Sequence, residues 1–112
     1  MNKTQSKIGI TITASPTCCC WTNIYYYSSE EYSVGAMKAY VTGCDDADLT
    51  WEILVGSTWT EILLSDPGFG LDPTIYDPNA LGAQGPGLYR TKMSSVGCCD
   101  TYSNILESFG PV

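Results

Sequence analysis

The chain contains no histidine, and that absence excludes more than most of its residues assert. Without imidazole there is no base poised near neutrality, no Ser–His or Cys–His nucleophile pair and no His-bearing zinc site. No glycine-rich loop of phosphate-binding form leads into a helix. The carboxylates sit in turn-like Asp clusters, where Asp is expected for its backbone chemistry. The expectation is a protein that is not an enzyme, with no cofactor and no metal. Charge is sparse as well: charged residues are 15% of the chain, against about a quarter in an ordinary domain. What charge there is leans one way, five basic against 12 acidic residues for a net −7. Such a surface repels phosphates, so nucleic acid is not an expected partner. No apolar run approaches the roughly 20 residues needed to cross a bilayer, and no segment carries helical spacing over a helix-length window. The opening MNKTQSKIGITI has two Lys but no apolar core of a secretory signal. With Met1 as the natural start, the expectation is synthesis in the cytoplasm without export by that route.

Cysteine is plentiful but oddly spaced: Cys18-Cys19-Cys20, Cys44 and Cys98-Cys99. Adjacent cysteines in extended chain point to opposite faces and rarely bridge one another. With no export signal, reduced thiols packed as small apolar groups are the default. A chance disulfide from Cys44 to Cys98 or Cys99 is an alternative, as is a thiolate metal site from the same three. Adjacent ligands fit zinc poorly, because zinc sites spread cysteines over C-x₂₋₄-C spacings. Asp45, Asp46, Asp48, Asp66, Asp72 and Asp77 could hold calcium. The EF-hand pattern is absent, however, and Asp66-Pro67, Asp72-Pro73 and Asp77-Pro78 start turns without an ion.

What the sequence does assert is β structure. Leu49 to Ile62 is the centre: Leu49, Trp51, Ile53 and Val55 alternate with Thr50, Glu52 and Leu54, the period of a half-buried strand. Val55-Gly56-Ser57-Thr58 turns the chain, and Trp59 to Ile62 returns. Ser6 to Thr13 alternates Ile8, Ile10 and Ile12 inward. Val34 to Thr42 puts Met37, Ala39 and Val41 on an inner face. Leu63 to Gly87 is rich in Pro and Gly and reads as loop, with Thr74-Ile75-Tyr76 pairing briefly. Leu88 to Val96 carries Tyr89, Thr91 and Met93 inward and Arg90 and Lys92 outward, and a last strand runs around Tyr102 to Glu107. The expected core is Trp51, Tyr89, Ile10, Ile53 and Met93, buried together between two antiparallel sheets of about seven strands. At 112 residues this is one domain, residues 1–112 with its core in 6–107, large enough for a single core.

Short strands, closely spaced turns and a central Trp describe an Ig-like β-sandwich. In order, ITASP, a Met/Ala/Val strand ending in Gly-Cys, LTWEI…STWTEI, TIYDPNAL, GLYRTKMSSVGC and YSNIL resemble Ig-like and PKD-like modules. Such modules occur in surface proteins of Bacteroidetes-type bacteria and in virion proteins of tailed phages. The resemblance covers roughly residues 6–107 and rests most on Trp51, Ser57-Thr58-Trp59-Thr60, Gly87-Leu88-Tyr89 and Tyr102-Ser103-Asn104. It implies that Tyr89 is a tyrosine corner, its hydroxyl bonded to backbone near the preceding bend. The inter-sheet cysteines of antibody domains would fall at Ala39 and Thr91, so that bridge is absent. The resemblance further implies an auxiliary (decoration) protein of a tailed-phage capsid, made in the host cytoplasm and carried in the virion. A module of a bacterial cell-surface adhesin that binds protein or glycan is the alternative, and an intracellular metal or thiol-redox protein a further one.

One stretch departs from the pattern. Residues 17–33, TCCCWTNIYYYSSEEYS, show no clear period and read as a long insertion between the first two strands. Long loops in compact domains are usually functional or disordered, and Trp21, Tyr25, Tyr26, Tyr27 and Tyr32 favour order. Three consecutive Tyr cannot all face one core, so at least one ring is left for water or a partner. These five rings are the candidate partner-binding residues, aimed at a larger protein assembly. The other readings are a flap covering an edge strand and, less strongly, carbohydrate stacking.

Overall fold

The computed structural model describes residues 20–29, 32, 35–42, 47–95 and 99–110. Within them the chain is all-β: β1 Trp21–Tyr26, β2 Met37–Thr42, β3 Asp48–Val55, β4 Thr58–Ile62, β5 Ile75–Tyr76, β6 Gly87–Ser94, β7 Thr101–Tyr102 and β8 Leu106–Ser108. They form two antiparallel sheets. One has three strands in the order β1-β2-β5; the other has five in the order β4-β3-β6-β7, with β8 also paired to β6.

The central hairpin forms as its alternation requires. Val55 pairs with Thr58 across a two-residue loop, and Gly56 takes φ +64°, the left-handed conformation such tight hairpins demand and glycine supplies without strain. The two sheets meet in one apolar cluster. Ile24, Met37, Ala39 and Tyr76 come from the three-stranded sheet, and Trp51, Ile53, Ile62 and Tyr89 from the five-stranded one. Trp51 is 1% exposed. Its indole lies 5.9 Å from the Tyr76 ring and 6.4 Å from Phe69, and its Nε1–H donates to the Pro73 carbonyl at 3.0 Å.

The Pro/Gly-rich connection from β4 to β6 is loop held by repetition. In Asp66-Pro67-Gly68, Asp72-Pro73-Thr74 and Asp77-Pro78-Asn79, the Asp carboxylate accepts the backbone N–H two residues on, at 2.8, 2.9 and 3.0 Å. Each is therefore an Asx turn closed by the protein itself. The hydroxyl and N–H of Thr74, together with Lys38, hold the Asp72 carboxyl below its usual range. Gly68 presses against the Tyr76 ring so closely that a Cβ there would lie 2.4 Å from it.

Several expectations change. Trp21–Tyr26, read as part of an insertion, is a strand paired in register along β2. Its period is hidden because the inward residues are Thr22 and Ile24 while Trp21 and Tyr25 face out. Thr22 can be buried because its hydroxyl meets that of Thr91 across the two sheets at 2.8 Å. Val41 has the inner parity, opposite Thr22, yet is exposed near the end of its strand. Met93 is buried but stands outside the main cluster, on the stretch where β6 pairs with Thr101. Six of the seven expected strands fall among the described residues, and Trp21–Tyr26 together with a division of the expected last strand in two makes the eight observed. Arg90 and Thr91 of β6 face three residues, Ser103, Asn104 and Ile105, a bulge with one residue to spare. Ser103 Oγ there accepts the Thr91 N–H at 2.8 Å. Cys20, expected to be reduced, is disulfide-bonded. The expected first strand with Ile10, and Cys18, Cys19, Cys44, Asp45, Asp46 and Cys98, lie outside the described residues.

Candidate functional site

The five candidate rings do not form one patch. Residues directly opposite in an antiparallel pair share a face, so the β1–β2 register puts Trp21, Asn23 and Tyr25 on the outer side with Thr42, Tyr40 and Lys38. Trp21 is 48% exposed and its ring stands 5.7 Å from Tyr40, tilted by 51°. Tyr25 is exposed beside them. Lys38 extends along this face until its ammonium lies 5.1 Å from the centre of the Tyr27 ring, a cation–π contact. Tyr27 in turn meets Tyr32 edge-on at 6.2 Å. The outer face therefore carries Trp21, Tyr25 and the unanticipated Tyr40, continued past the strand end by Tyr27 and Tyr32. Tyr40 was visible in principle: it alternates with Met37, Ala39 and Val41, so it had to face away from the core.

Tyr26 goes elsewhere. Its hydroxyl donates to the Glu107 carbonyl at 2.6 Å, tying β1 to β8. The bulge adds a second tie by turning Asn104 toward β1. Ile24 N–H donates to Asn104 Oδ1 at 2.8 Å, and Asn104 Nδ2 donates to the Ile24 carbonyl at 2.9 Å. A side-chain amide thus stands in for a neighbouring strand at Ile24, pairing both of its backbone groups.

A further surface on the five-stranded sheet escaped the sequence reading. The Arg90 guanidinium is stacked between Trp59 at 4.3 Å and Tyr102 at 4.1 Å. Its Nε–H also donates to Glu52 at 2.7 Å, and Lys92 approaches the other Glu52 oxygen at 3.9 Å. Glu52 is buried beneath these cations although its parity faces outward. The stack spans three strands and needs long-range pairing to assemble, so no local pattern announces it.

Among the described residues no three His, Cys, Asp or Glu side chains come together. The carboxylates that are held closely serve turns or the Arg90 stack. Tyr89, the expected corner, donates its hydroxyl to the Gly85 carbonyl at 2.5 Å. The geometry defines an all-β protein of two antiparallel sheets with aromatic side chains displayed on an outer face. No protein-family model, curated protein or solved structure matches the chain.

Proposed function

We propose that this chain is a non-catalytic binding protein of Ig-like architecture that docks onto a larger protein assembly through the outer face of β1 and β2. The observation that carries the reading is the exposure of Trp21, Tyr25 and Tyr40 together on one sheet face. The core is already filled by Trp51, Tyr76 and Tyr89, so folding does not account for the outer rings. Trp and Tyr are the residues that anchor protein interfaces. The Ig-like assignment draws support from the pairing of a three-stranded with a larger antiparallel sheet, the buried Trp of β3 and the Tyr89 corner bond.

The resemblance of the sequence to modules of tailed-phage virion proteins supports an auxiliary protein on a capsid, made in the host cytoplasm and carried in the virion. The disulfide at Cys20 fits a protein whose working place is oxidising, as virion surfaces are. The 51° tilt between Trp21 and Tyr40 favours a shaped protein surface over the flat platform that a sugar ring stacks on. Replacing Trp21, Tyr25 and Tyr40 together by Ser tests the reading. Each central anchor is worth about 2 kcal/mol or more on truncation, so incorporation into particles should collapse while the melting temperature barely moves. A folded variant that incorporates normally would place the interface elsewhere. Absence of the unaltered protein from particles, with glycan binding that the triple variant loses, would favour the surface-adhesin alternative.

A further inference from the structure

A groove of about 360 Å³ opens where the end of β1 meets β8. Tyr26, Tyr27 and Phe109 supply its aromatic walls, and Ser28, Glu107 and Ser108 its polar groups. Two observations say that the groove is incomplete as it stands. Ser108 is 4% exposed, and its buried Oγ has no hydrogen-bond partner, a state that native proteins rarely leave unexplained. Phe109, whose side chain carries no polar group, is 77% exposed at the rim.

The chemistry of the missing partner follows from the walls. Aromatic faces carry negative potential and attract cations. Glu107 is the charged residue lining the groove among the described residues, and the protein as a whole carries −7, so an anionic guest is repelled. A hydroxyl can accept a hydrogen bond from an ammonium or guanidinium N–H, which a quaternary ammonium cannot offer. The apolar walls suit a methylene stem whose charged head reaches a polar group. The volume lies near the lower end for ligand sites, enough for one side chain and not for an extended segment. The molecule already contains a contact of this kind, the Lys38 ammonium over the Tyr27 ring.

We propose that this groove receives a single basic side chain, a lysine or arginine presented by a protein partner, with its cation between the Tyr26 and Phe109 rings and Glu107 and an N–H donated to Ser108 Oγ. The assignment is tested apart from the aromatic outer face through Glu107, Ser108 and Phe109, which take no part in that surface, whereas Tyr27 borders both.

The test is an amide chemical-shift titration of the full chain with N-acetyl-lysine methylamide and N-acetyl-arginine methylamide. N-acetyl-norleucine methylamide and methyl glucoside serve as neutral probes. The basic amides should produce saturable shifts confined to residues 26–28 and 107–110, and norleucine amide should bind about fivefold more weakly or worse. Phe109→Ala and Glu107→Gln alter exposed side chains and should each weaken the basic amides about two- to fivefold. Ser108→Ala should weaken them too, without lowering the melting temperature, because it removes an unsatisfied hydroxyl. Equal binding of norleucine amide, saturation by the glucoside alone, unchanged binding in Ser108→Ala, or no saturable shift with any probe would each overturn the assignment.

Discussion

Trp51→Ala is expected to remove about 3–5 kcal/mol of stability, a large share of the roughly 5–15 kcal/mol that holds a domain together. The reason is where the indole sits. It belongs to the cluster that joins the two sheets, and it packs against Tyr76 of β5 and against Phe69 of the connection that leads into β5. Truncation leaves a cavity between three parts of the chain that cannot all close on it. It also strips the Pro73 carbonyl of its donor, which loosens the second of the three Asp-Pro turns. Trp51→Phe, which keeps a ring but not the N–H, should cost distinctly less. Urea unfolding of the three proteins checks this through the midpoint at constant slope. A loss below about 1 kcal/mol for the Ala variant would mean that Trp51 is not the centre of the core.

Alkaline pH should unfold the protein through two particular tyrosines. Burial pushes the Tyr76 phenol well above its ordinary value, with the neighbouring Asp66 charge adding to the effect. Burial, then Asp66, does the same to Tyr89. Both side chains are fully enclosed. Below the unfolded value of 10.0 both states hold the proton, and the stability from these groups is complete. Above it the unfolded chain ionises while the folded chain does not, so stability falls as pH rises toward the folded values. Each tyrosine then costs about 1.4 kcal/mol per pH unit, and the pair about twice that. A tyrosinate absorbance titration should show two tyrosines that keep their protons for as long as the fold holds. These two should ionise only together with loss of the near-UV circular dichroism. Tyr76→Phe should make the alkaline loss of stability shallower. Ionisation of all eight tyrosines in one step around pH 10, with the fold intact, would contradict the enclosure of Tyr76 and Tyr89.

The fold was legible where hydropathy and pleat agree. Leu49 to Ile62 and Leu88 to Ser94 alternate apolar against polar, and both are strands. The brief pairing at Thr74-Ile75-Tyr76 was visible, but not that Tyr76 would lie at the centre of the aromatic core, bonded to Asp66 at 3.1 Å and to the Gln84 N–H at 3.0 Å. A two-residue strand has no period to read, and its importance comes from what folds over it. Trp21–Tyr26 failed for the opposite reason: its hydropathy is inverted, with hydroxyl-bearing Thr22 inside and Trp21 outside. An inward Thr makes sense only once Thr91 is brought opposite it by strands far apart in sequence. The break in the last strand depends likewise on Ser103 and Asn104 finding Thr91 and Ile24. The aromatic residues of the site were legible as composition. Their separation into an outer face, a strand-end pair and a groove wall was not, because side-chain direction in an unrecognised strand cannot be assigned.

The claim that the β1–β2 outer face is the docking surface is tested most directly by site-specific photo-cross-linking in assembled particles. A photoreactive phenylalanine replaces Tyr40 on that face in one protein and Leu81, which is 97% exposed on a turn between β5 and β6, in another. Irradiation should join the position-40 protein to a shell subunit in good yield and leave the position-81 protein uncoupled. Coupling from position 81 with none from position 40 would contradict the assignment of the aromatic face.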